Sequence, residues 1–502
     1  MVLQGIMTVL NLTCLIFMMV GTMVGIIFGA IPGLSATMAV AIFLPLTYKM
    51  TQSLSIAFLI SLYVGGISGG LISAILLNIP GTPSSVATTF DGVPMAKKGQ
   101  AGKALGIAVF SSLVGTIFSV LVLMFVASPI ASLALKFGPY EYFAVCLFAL
   151  VLLSSLISKS MLRGFTAAIL GLLVSVVGVA PVGNATRFTF GLQSLELGFG
   201  DLPLLIGLFA VADILAASIK KPTLEKAVVQ DYNIKGLGFK LSELAGKGFN
   251  FLRSCVIGLL IGILPGIGGS SSNVVSYSVA KQSSKHPEEY GTGIIDGIIA
   301  TEAANNACIG GAMIPLLTLG IPGDGPTAIL LGGLTIAGIT PGPLLFENNA
   351  VFVYGIYTAL LVASIMMFVI ELFGMKYFVR ILMVPKHYLL PVIMALCVVG
   401  VFGNNNQISD IAGAIIFGVI GLVLEKFDFP VTPFILGFLL GEIMEVYLIR
   451  AIQYSRGNLI AGFAKAPIAL AFLAATVLSF AWVLYGKFRD AQKAKAANAV
   501  TE

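Results

Sequence analysis

Long apolar stretches, separated by short polar segments, run along almost the whole chain. Most have the length of roughly 17–25 residues that a helix needs to cross a bilayer, and they lack the two-residue alternation of membrane barrels. Because a helix satisfies its own backbone hydrogen bonds, the pattern predicts an all-α polytopic membrane protein with about 10–13 transmembrane helices. The stretches lie near 6–28, 54–79, 104–136, 140–158, 163–180, 202–219, 251–264, 293–319, 350–373, 388–402, 411–424, 431–448 and 466–485.

Matched helix-breaking motifs interrupt the apolar stretches in two halves of the chain. We name them break 1 (Pro32-Gly33), break 2 (Ile79-Pro80-Gly81), break 3 (Pro265-Gly266) and break 4 (Ile321-Pro322-Gly323). Breaks 1 and 3 both end the motif Gly-x-x-x-Gly-x-x-Pro-Gly, which begins at Gly25 and again at Gly258. Proline lacks a backbone donor, so each break is expected to end a helix or form a re-entrant hairpin. Paired breaks in corresponding positions indicate a transporter with its binding site at the breaks.

The residues that follow the breaks favour an anionic substrate. Ser, Thr and Asn after a glycine turn are N-capping types, and a helix that begins there directs free N–H groups and a partial positive charge into the gap. The alternative for Gly268–Asn273 alone is a flexible Gly/Ser loop, but this run directly follows an apolar stretch. The predicted substrate-binding residues are Pro32, Gly33, Ser35, Thr37, Asn78, Pro80, Gly81, Pro265, Gly266, Gly268, Gly269, Ser270, Ser271, Ser272, Asn273, Pro322 and Gly323.

A polar helix face within 293–319 is the predicted site of a coupling ion. Glu302, Asn305 and Asn306 lie at i, i+3 and i+4, so they share a face, and an ionisable residue within a membrane is a functional candidate. Asp324, beside break 4, completes the predicted set. Oxygen ligands would suit Na⁺, the only metal expected, and a buried carboxyl could carry H⁺. A structural Glu–Asn hydrogen-bond cluster is the alternative.

Three further charged residues are weaker candidates. Asp213 lies within 202–219, and Glu371 lies near the end of its stretch. Arg187, in the polar segment 181–201, is a cation that could reach inward.

Composition agrees with a membrane protein. Hydrophobic residues make up 58% of the 502 residues and charged residues 10%, and the mean hydropathy is +1.03. No basic residue precedes the first apolar stretch, so we expect a retained first helix. The five cysteines, at 14, 146, 255, 308 and 397, are expected to be small buried hydrophobes.

Basic clusters divide the chain and suggest its orientation. The segment 220–250 is rich in lysine and is predicted to be a cytoplasmic linker between the halves. The basic segment 97–103 follows break 2, whereas 341–349 after break 4 has no positive charge, which favours inverted repeats. The loop with Arg450 and Arg456 does not fit this scheme. The predicted divisions are 1–219 (first repeat half with scaffold helices), 220–250 (linker), 251–385 (second half), 386–486 (C-terminal transmembrane helices) and 487–502 (cytoplasmic tail).

Other chemistries have weaker support. No Gly-x-x-x-x-Gly-Lys-Ser/Thr motif is present, so a built-in ATP motor is not expected. Gly66-Ile67-Ser68-Gly69 resembles an intramembrane serine protease motif, but His286 and His387, the only histidines, both belong to predicted loops. An intramembrane aspartyl protease would need glycine where Ile321 stands. The chain is therefore not expected to be an enzyme or to carry a cofactor. A passive anion channel lined by the breaks is the more serious alternative.

The segments Gly25–Ser35, Gly258–Asn273 and Glu302–Pro326, in this order and spacing, resemble the large membrane subunit of the tripartite tricarboxylate transporters. The resemblance extends over almost the whole chain. It implies a multi-pass secondary transporter of the bacterial inner membrane that imports di- or tricarboxylates such as citrate, driven by a Na⁺ or H⁺ gradient. It also implies two partners, a small four-helix membrane subunit and a periplasmic solute-binding protein.

Overall fold

The structure is a computed structural model that describes residues 1–156, 161–219, 237–381 and 386–481. Helices dominate the described residues, and the expected all-α polytopic membrane protein is confirmed. Six helical segments are long and apolar enough to cross a membrane: Leu12–Ala30, Gln52–Leu77, Thr88–Ala134, Asp201–Ile219, Ala350–Phe378 and Ile408–Lys426. Shorter apolar helices accompany them, and the total of about 10–13 crossings stays a prediction.

The α-helices of the described residues are numbered in chain order. They are α1 (Val2–Val9), α2 (Leu12–Ala30), α3 (Ala36–Phe43), α4 (Gln52–Leu77), α5 (Thr88–Met95), α6 (Ala101–Ala134), α7 (Pro139–Leu156), α8 (Met161–Ser175), α9 (Asp201–Ile206), α10 (Ala212–Ile219), α11 (Gly248–Ile263), α12 (Gly268–Gln282), α13 (Ile295–Leu319), α14 (Gly325–Ile336), α15 (Pro343–Asn348), α16 (Ala350–Ile381), α17 (Lys386–Asn405), α18 (Ile408–Lys426), α19 (Val431–Tyr454), α20 (Leu459–Ala464) and α21 (Pro467–Ala481).

Short irregular elements join some of these helices. Strands β1 (Gly178–Val179) and β2 (Thr186–Arg187) pair antiparallel, with Gly178 opposite Arg187. The 3₁₀ turns are Leu44–Thr47, Pro83–Ser85, Gln193–Leu195, Leu241–Leu244 and Pro287–Glu289, and the π-helical segments are Ala96–Gln100 and Gly207–Val211.

The first apolar stretch, predicted as one span over 6–28, is two helices instead. Helix α1 ends at Val9, and Asn11 caps α2 by accepting a hydrogen bond from the backbone N–H of Cys14 at 2.9 Å. A capping asparagine satisfies an orphan donor of the new helix and so favours a fresh start there. The single span was therefore wrong at its N-terminal end.

The described residues form two compact units. Unit 1 comprises Met1–Leu135 and Asp201–Leu422, and unit 2 comprises Lys136–Gly200 and the described residues from Val423 onward. All four breaks lie in unit 1. Of the predicted linker 220–250, residues 220–236 lie outside the described residues, as does the tail 487–502. The division into repeat halves stays a prediction.

In unit 1 the two glycine motifs perform the same packing task. Helix α2 packs on α4, and α11 packs on α13. A Cβ on Gly25 or Gly29 would collide with backbone carbonyls of α4, and a Cβ on Gly258 would collide with that of Ala304 in α13. Small residues allow such close helix contact within a membrane. The receiving helices are the interior of the unit: α13 is buried throughout Gly297–Thr318.

Unit 2 is built around α19, which packs on α7 and α8. Gly437 of α19 lies so close to α8 that a Cβ would meet the carbonyl of Ala168. The β1–β2 hairpin is tied to α19 by Arg187, whose guanidinium donates to both carboxylate oxygens of Glu445 at 2.7 and 3.0 Å. Arg187 is thus committed to an ion pair within this unit.

Candidate functional site

Break 1 ends α2 and starts α3, as predicted. Gly33 has a φ of 91°, a conformation that L side chains rarely adopt. Ser35 caps α3 by accepting from the backbone N–H of Met38 at 3.1 Å. Thr37 follows within the first turn of α3 and is half-buried. The expectation that a helix N-terminus follows break 1 is confirmed.

Break 3 ends α11 and starts α12 in the same way. Gly266 and Gly268 have φ values of 75° and 63°. Helix α12 begins at Gly268 without a side-chain cap, so its first N–H groups are not neutralised by a side chain of its own N-terminus. Ser270 and Ser271 are half-buried in its first turn.

Breaks 2 and 4 follow helices that end with a left-handed residue. Asn78 has a φ of 55° at the end of α4, and Gly320 has a φ of 72° at the end of α13. Asn78 is exposed at this C-terminus, so the structure does not bring it among the helix N-termini. Break 2 leads through Pro80 and Gly81 into the 3₁₀ turn Pro83–Ser85.

Break 4 leads into α14, which is capped by Asp324. One carboxylate oxygen of Asp324 accepts from the backbone N–H of Thr327 at 2.9 Å and from its hydroxyl at 2.6 Å. The other accepts from the hydroxyl of Tyr63 in α4 at 2.6 Å. Asp324 therefore has a clear role in ending break 4, and its predicted role in ion coupling stays a prediction.

The four breaks lie against one another. The backbone N–H of Gly266 in break 3 donates to the carbonyl of Gly323 in break 4 at 2.6 Å. A Cβ on Gly325 would lie 2.8 Å from the hydroxyl of Thr37, so break 4 lies against the start of α3. A Cβ on Gly269 would lie 3.1 Å from the Cβ of Ser84, so α12 lies against the segment after break 2.

Break 2 also lies beside α2, because a Cβ on Gly81 would collide with the carbonyl of Gly29. The partly accessible members of the combined region are Pro32, Gly33, Ser35, Thr37, Pro80, Gly266, Ser270 and Ser271. Pro265, Gly268, Gly269, Pro322 and Gly323 are buried. Most of the sequence-derived set thus lies in one contiguous region of unit 1, with Asn78 at its margin, and its role in substrate binding stays a prediction.

Two members of that set point elsewhere. The hydroxyl of Ser272 donates to the carbonyl of Gly269 at 2.9 Å, within its own helix. The side chain of Asn273 accepts from the backbone N–H of Ala87 at 2.7 Å and donates to the hydroxyl of Thr88 at 3.3 Å. Asn273 therefore holds the chain that follows break 2.

Glu302 lies at the centre of a buried network of hydroxyls and amides. Its two carboxylate oxygens accept from the hydroxyl of Thr88 in α5 and from that of Ser112 in α6, the latter at 3.3 Å. The amide of Asn306 donates to the same Ser112 hydroxyl at 2.8 Å, and Thr116 donates to the amide oxygen of Asn306 at 3.5 Å. Glu302 and Asn306 therefore act together, as their shared face predicts.

Asn305 instead connects α13 to α4 and to break 3. Its amide donates to the carbonyl of Ile67 at 3.4 Å. Its amide oxygen lies against Gly269 and has no hydrogen-bond partner among the described residues, although it is buried. A buried acceptor without a partner is costly, so this atom suits a cation or a donor that arrives at the start of α12.

Sequence reasoning missed some residues that complete these contacts, namely the hydroxyls of Tyr63, Thr88 and Ser112 and the Cβ of Ser84. Ser112 and Thr116 stand one turn apart in an apolar helix, and that spacing could have indicated a polar face toward Glu302.

The five cysteines are all buried, as predicted. Asp213 lies half-buried in α10. Ser68 of the protease-like motif donates to Glu371 at 2.8 Å, whereas His286 is exposed.

Comparison with known families agrees with this architecture. Residues 15–436 match the model of the tripartite tricarboxylate transporter TctA family. The chain belongs to this family. As a TctA-family protein with six clear apolar spans, it is a multi-pass membrane protein and a subunit of a tripartite transporter.

Two relatives of this TctA-family chain come from Agrobacterium vitis. An uncharacterized 52.8 kDa protein in the TAR-I ttuC' 3'region is 35% identical over 431 residues, covering 86% of this chain and 85% of the relative. An uncharacterized protein in the TAR-II ttuC' 3'region is 36% identical over 216 residues, covering 43% of this chain and 89% of the relative. No solved structure matches the chain.

Proposed function

We propose that the chain imports di- or tricarboxylates, with citrate as the type, across the bacterial inner membrane as an ion-gradient-driven secondary transporter. The observation that carries the proposal is the uncapped start of α12 beside the other three breaks. Free N–H groups and half-buried serine hydroxyls at a helix N-terminus bind carboxylates. The segments 25–37, 78–91, 258–273 and 302–327 contain no Lys or Arg, so helix ends and hydroxyls supply the recognition.

The coupling ion binds next to this site in the proposal. Glu302, Asn305, Asn306 and Asp324 supply oxygen atoms for Na⁺ or a carboxyl for H⁺. The buried, unpartnered oxygen of Asn305 at the start of α12 supports this arrangement, because it places an ion acceptor beside the substrate. Coupling of this kind suits a transporter better than the passive channel, in which no second binding event is needed.

We place the two halves as inverted repeats whose movement exposes the breaks alternately. The like packing of α2 on α4 and α11 on α13 supports a repeat, and the unequal charge of 97–103 and 341–349 supports inversion. The working transporter includes a small four-helix membrane subunit and a periplasmic solute-binding protein, which delivers the substrate.

The test is uptake of radiolabelled citrate into proteoliposomes that contain the chain and the small subunit. Substrate-loaded binding protein is supplied outside, and a Na⁺ or a pH gradient is imposed. Gradient-driven accumulation above the equilibrium level supports the proposal. Accumulation of a different carboxylate from a panel corrects only the substrate. If every carboxylate merely equilibrates, whatever the gradient, the chain is a passive channel and not a secondary transporter.

A further inference from the structure

Glu371 is a wholly buried carboxyl group that the proposed site does not use. The helix α16 continues to Ile381, so Glu371 lies well inside it rather than near its end. Its side chain is 0% exposed. One carboxylate oxygen accepts from the hydroxyl of Ser68 in α4 at 2.8 Å, and the other has no hydrogen-bond partner among the described residues. Glu371 is therefore an under-satisfied acidic group within a membrane helix bundle.

No described cation neutralises this carboxyl group. Helix α16 packs against α1, α2, α4, α6 and α15, of which α1, α2 and α4 contain no charged side chain. Lys103 of α6 is paired with Glu243. The Glu302 carboxyl group also acts electrostatically on Glu371, and its charge has the same sign. The remaining charges on these helices are Glu347 on α15 and Lys376 and Arg380 on α16 itself, all of them exposed.

This environment suits a proton and does not suit a metal ion. An unpaired buried carboxylate is strongly unfavourable, and protonation removes its charge. One carboxyl group and one hydroxyl supply far fewer ligands than a metal cation takes in proteins. The described residues also contain no cluster of three or more acidic, histidine or cysteine side chains that could hold a metal. We infer that, where the coupling ion is H⁺, Glu371 carries it in place of Glu302 and Asp324, an inference that rests on the proposed function.

A short stretch of α4 links Glu371 to the breaks. Ser68, the donor to Glu371, follows Ile67, whose carbonyl accepts from Asn305. Gly66, one residue earlier, lies against the start of α3, where a Cβ would come within 2.7 Å of Ala36. Loss of the proton would strengthen the hydrogen bond from Ser68 and leave the other Glu371 oxygen charged without a described partner. This change falls on the stretch of α4 that meets α3 and α13. Protonation and the geometry of the binding site are thereby connected.

An apolar cluster closes one route from Glu371 to water. The α16 side chains Met375 and Phe378 pack with buried residues of α2, α4, α6 and α13. Met95 and Ala101, which lie on either side of Lys97 and Lys98, belong to the same cluster. The cluster is apolar and offers no polar path from Glu371 to this basic face. Release of a proton along this route would therefore require these helices to separate, which is the kind of conformational change that coupled transport uses.

The test compares net uptake with exchange in the complete reconstituted transporter. Exchange of external for internal substrate needs only movement of the loaded carrier, whereas accumulation needs proton release on each cycle. For E371Q we expect pH-driven accumulation to fall to the no-gradient level, while exchange stays within about twofold of wild type. E347Q removes an exposed carboxyl group from a neighbouring helix and should leave both measurements unchanged. S68A should retain coupling but shift the pH midpoint of uptake.

The outcomes separate the inference from the proposed function. If E371Q still accumulates substrate along a pH gradient with the wild-type pH profile, or if wild-type uptake follows Na⁺ alone, Glu371 is not the proton carrier. If the wild type neither exchanges nor accumulates any carboxylate, the proposed function itself fails. If E371Q does not fold, E371D keeps the carboxyl group at shorter reach. It should then show coupled uptake with an altered pH midpoint, and an unaltered midpoint would overturn the inference.

Discussion

The backbone N–H of Gly266 donates to the carbonyl of Gly323 at 2.6 Å. This bond joins two helix breaks that are far apart in the chain, and it fixes the start of α12 beside that of α14. Helix α14 is capped by Asp324, whereas α12 has no side-chain cap. In the proposed function, the uncapped start of α12 binds the substrate anion.

Replacing Gly266 with Val should abolish carboxylate uptake while the protein remains inserted in the membrane. Gly266 has a φ of 75°, and a β-branched residue there costs about 1–3 kcal/mol or shifts the backbone. Either effect displaces the N–H group that bonds to Gly323. Uptake and the amount of folded protein in the membrane should be measured together.

Gly99 offers a matched control for this substitution. It also has a φ of 75°, but a Cβ added there meets nothing within 4 Å. G99V should therefore carry a similar backbone cost and retain uptake. Retained uptake by G266V would argue against a binding site at the breaks.

Replacing Glu302 with Gln should change the ion dependence of uptake. The amide nitrogen cannot accept the hydrogen bond that a carboxylate oxygen now receives from Thr88 or Ser112. Uptake should be recorded over a range of Na⁺ concentrations and of pH. An unaltered Na⁺ and pH profile would make Glu302 a structural residue.

Neighbouring serines on α6 allow a finer comparison. S112A removes a donor to Glu302 and the acceptor of Asn306, so it should resemble E302Q in direction. S111A removes only a hydroxyl that bonds to the carbonyl of Ile107 in its own helix. S111A should leave the ion dependence unchanged. Equal effects of S111A and S112A would contradict a role for the hydrogen bonds between Ser112, Glu302 and Asn306.

The sequence was sufficient to place the breaks because their causes are local. Proline and glycine end helices wherever they occur, and Ser35 caps α3 through a residue three positions away. Asp324 could have been recognised in the same way. Asp followed by Gly-Pro-Thr is a helix start with proline in the first turn and threonine at the third position.

Contacts between distant segments could not be obtained in this way. The bond from Thr88 to Glu302 joins residues on different helices, and its formation depends on how α5, α6 and α13 pack. Likewise, nothing in the sequence near Arg187 indicates that Glu445 is its partner. A single sequence shows helix faces, but the pairing of those faces requires the fold.

Replacing Arg187 with Gln should lower stability by about 1 kcal/mol without loss of uptake. Its bidentate pair with Glu445 is partly exposed, at 26% and 21% of the two side chains. Thermal unfolding of R187Q, E445Q and the double variant gives the coupling between them. R187K should not restore it, because lysine lacks the planar fork. Loss of uptake in R187Q alone would instead assign Arg187 to the substrate.

Asp91 should make the largest stability contribution of the polar contacts near the breaks. It is 1% exposed in α5, and one of its oxygens accepts from the backbone N–H groups of Gly291, Gly293 and Ile294 at 2.7–3.0 Å. The other accepts from the hydroxyl of Tyr277 at 2.9 Å. This carboxylate ties the chain after break 2 to the loop that leads into α13.

A graded series measures that contribution by thermal unfolding. Y277F removes one donor and should cost about 1 kcal/mol, whereas D91N keeps an acceptor but loses the charge and should cost about 2 kcal/mol. D91A leaves three N–H groups without their acceptor and should cost the most. The order of the three variants is the decisive result. If D91A were no less stable than Y277F, water or another group would satisfy the loop, and Asp91 would not hold the two segments together.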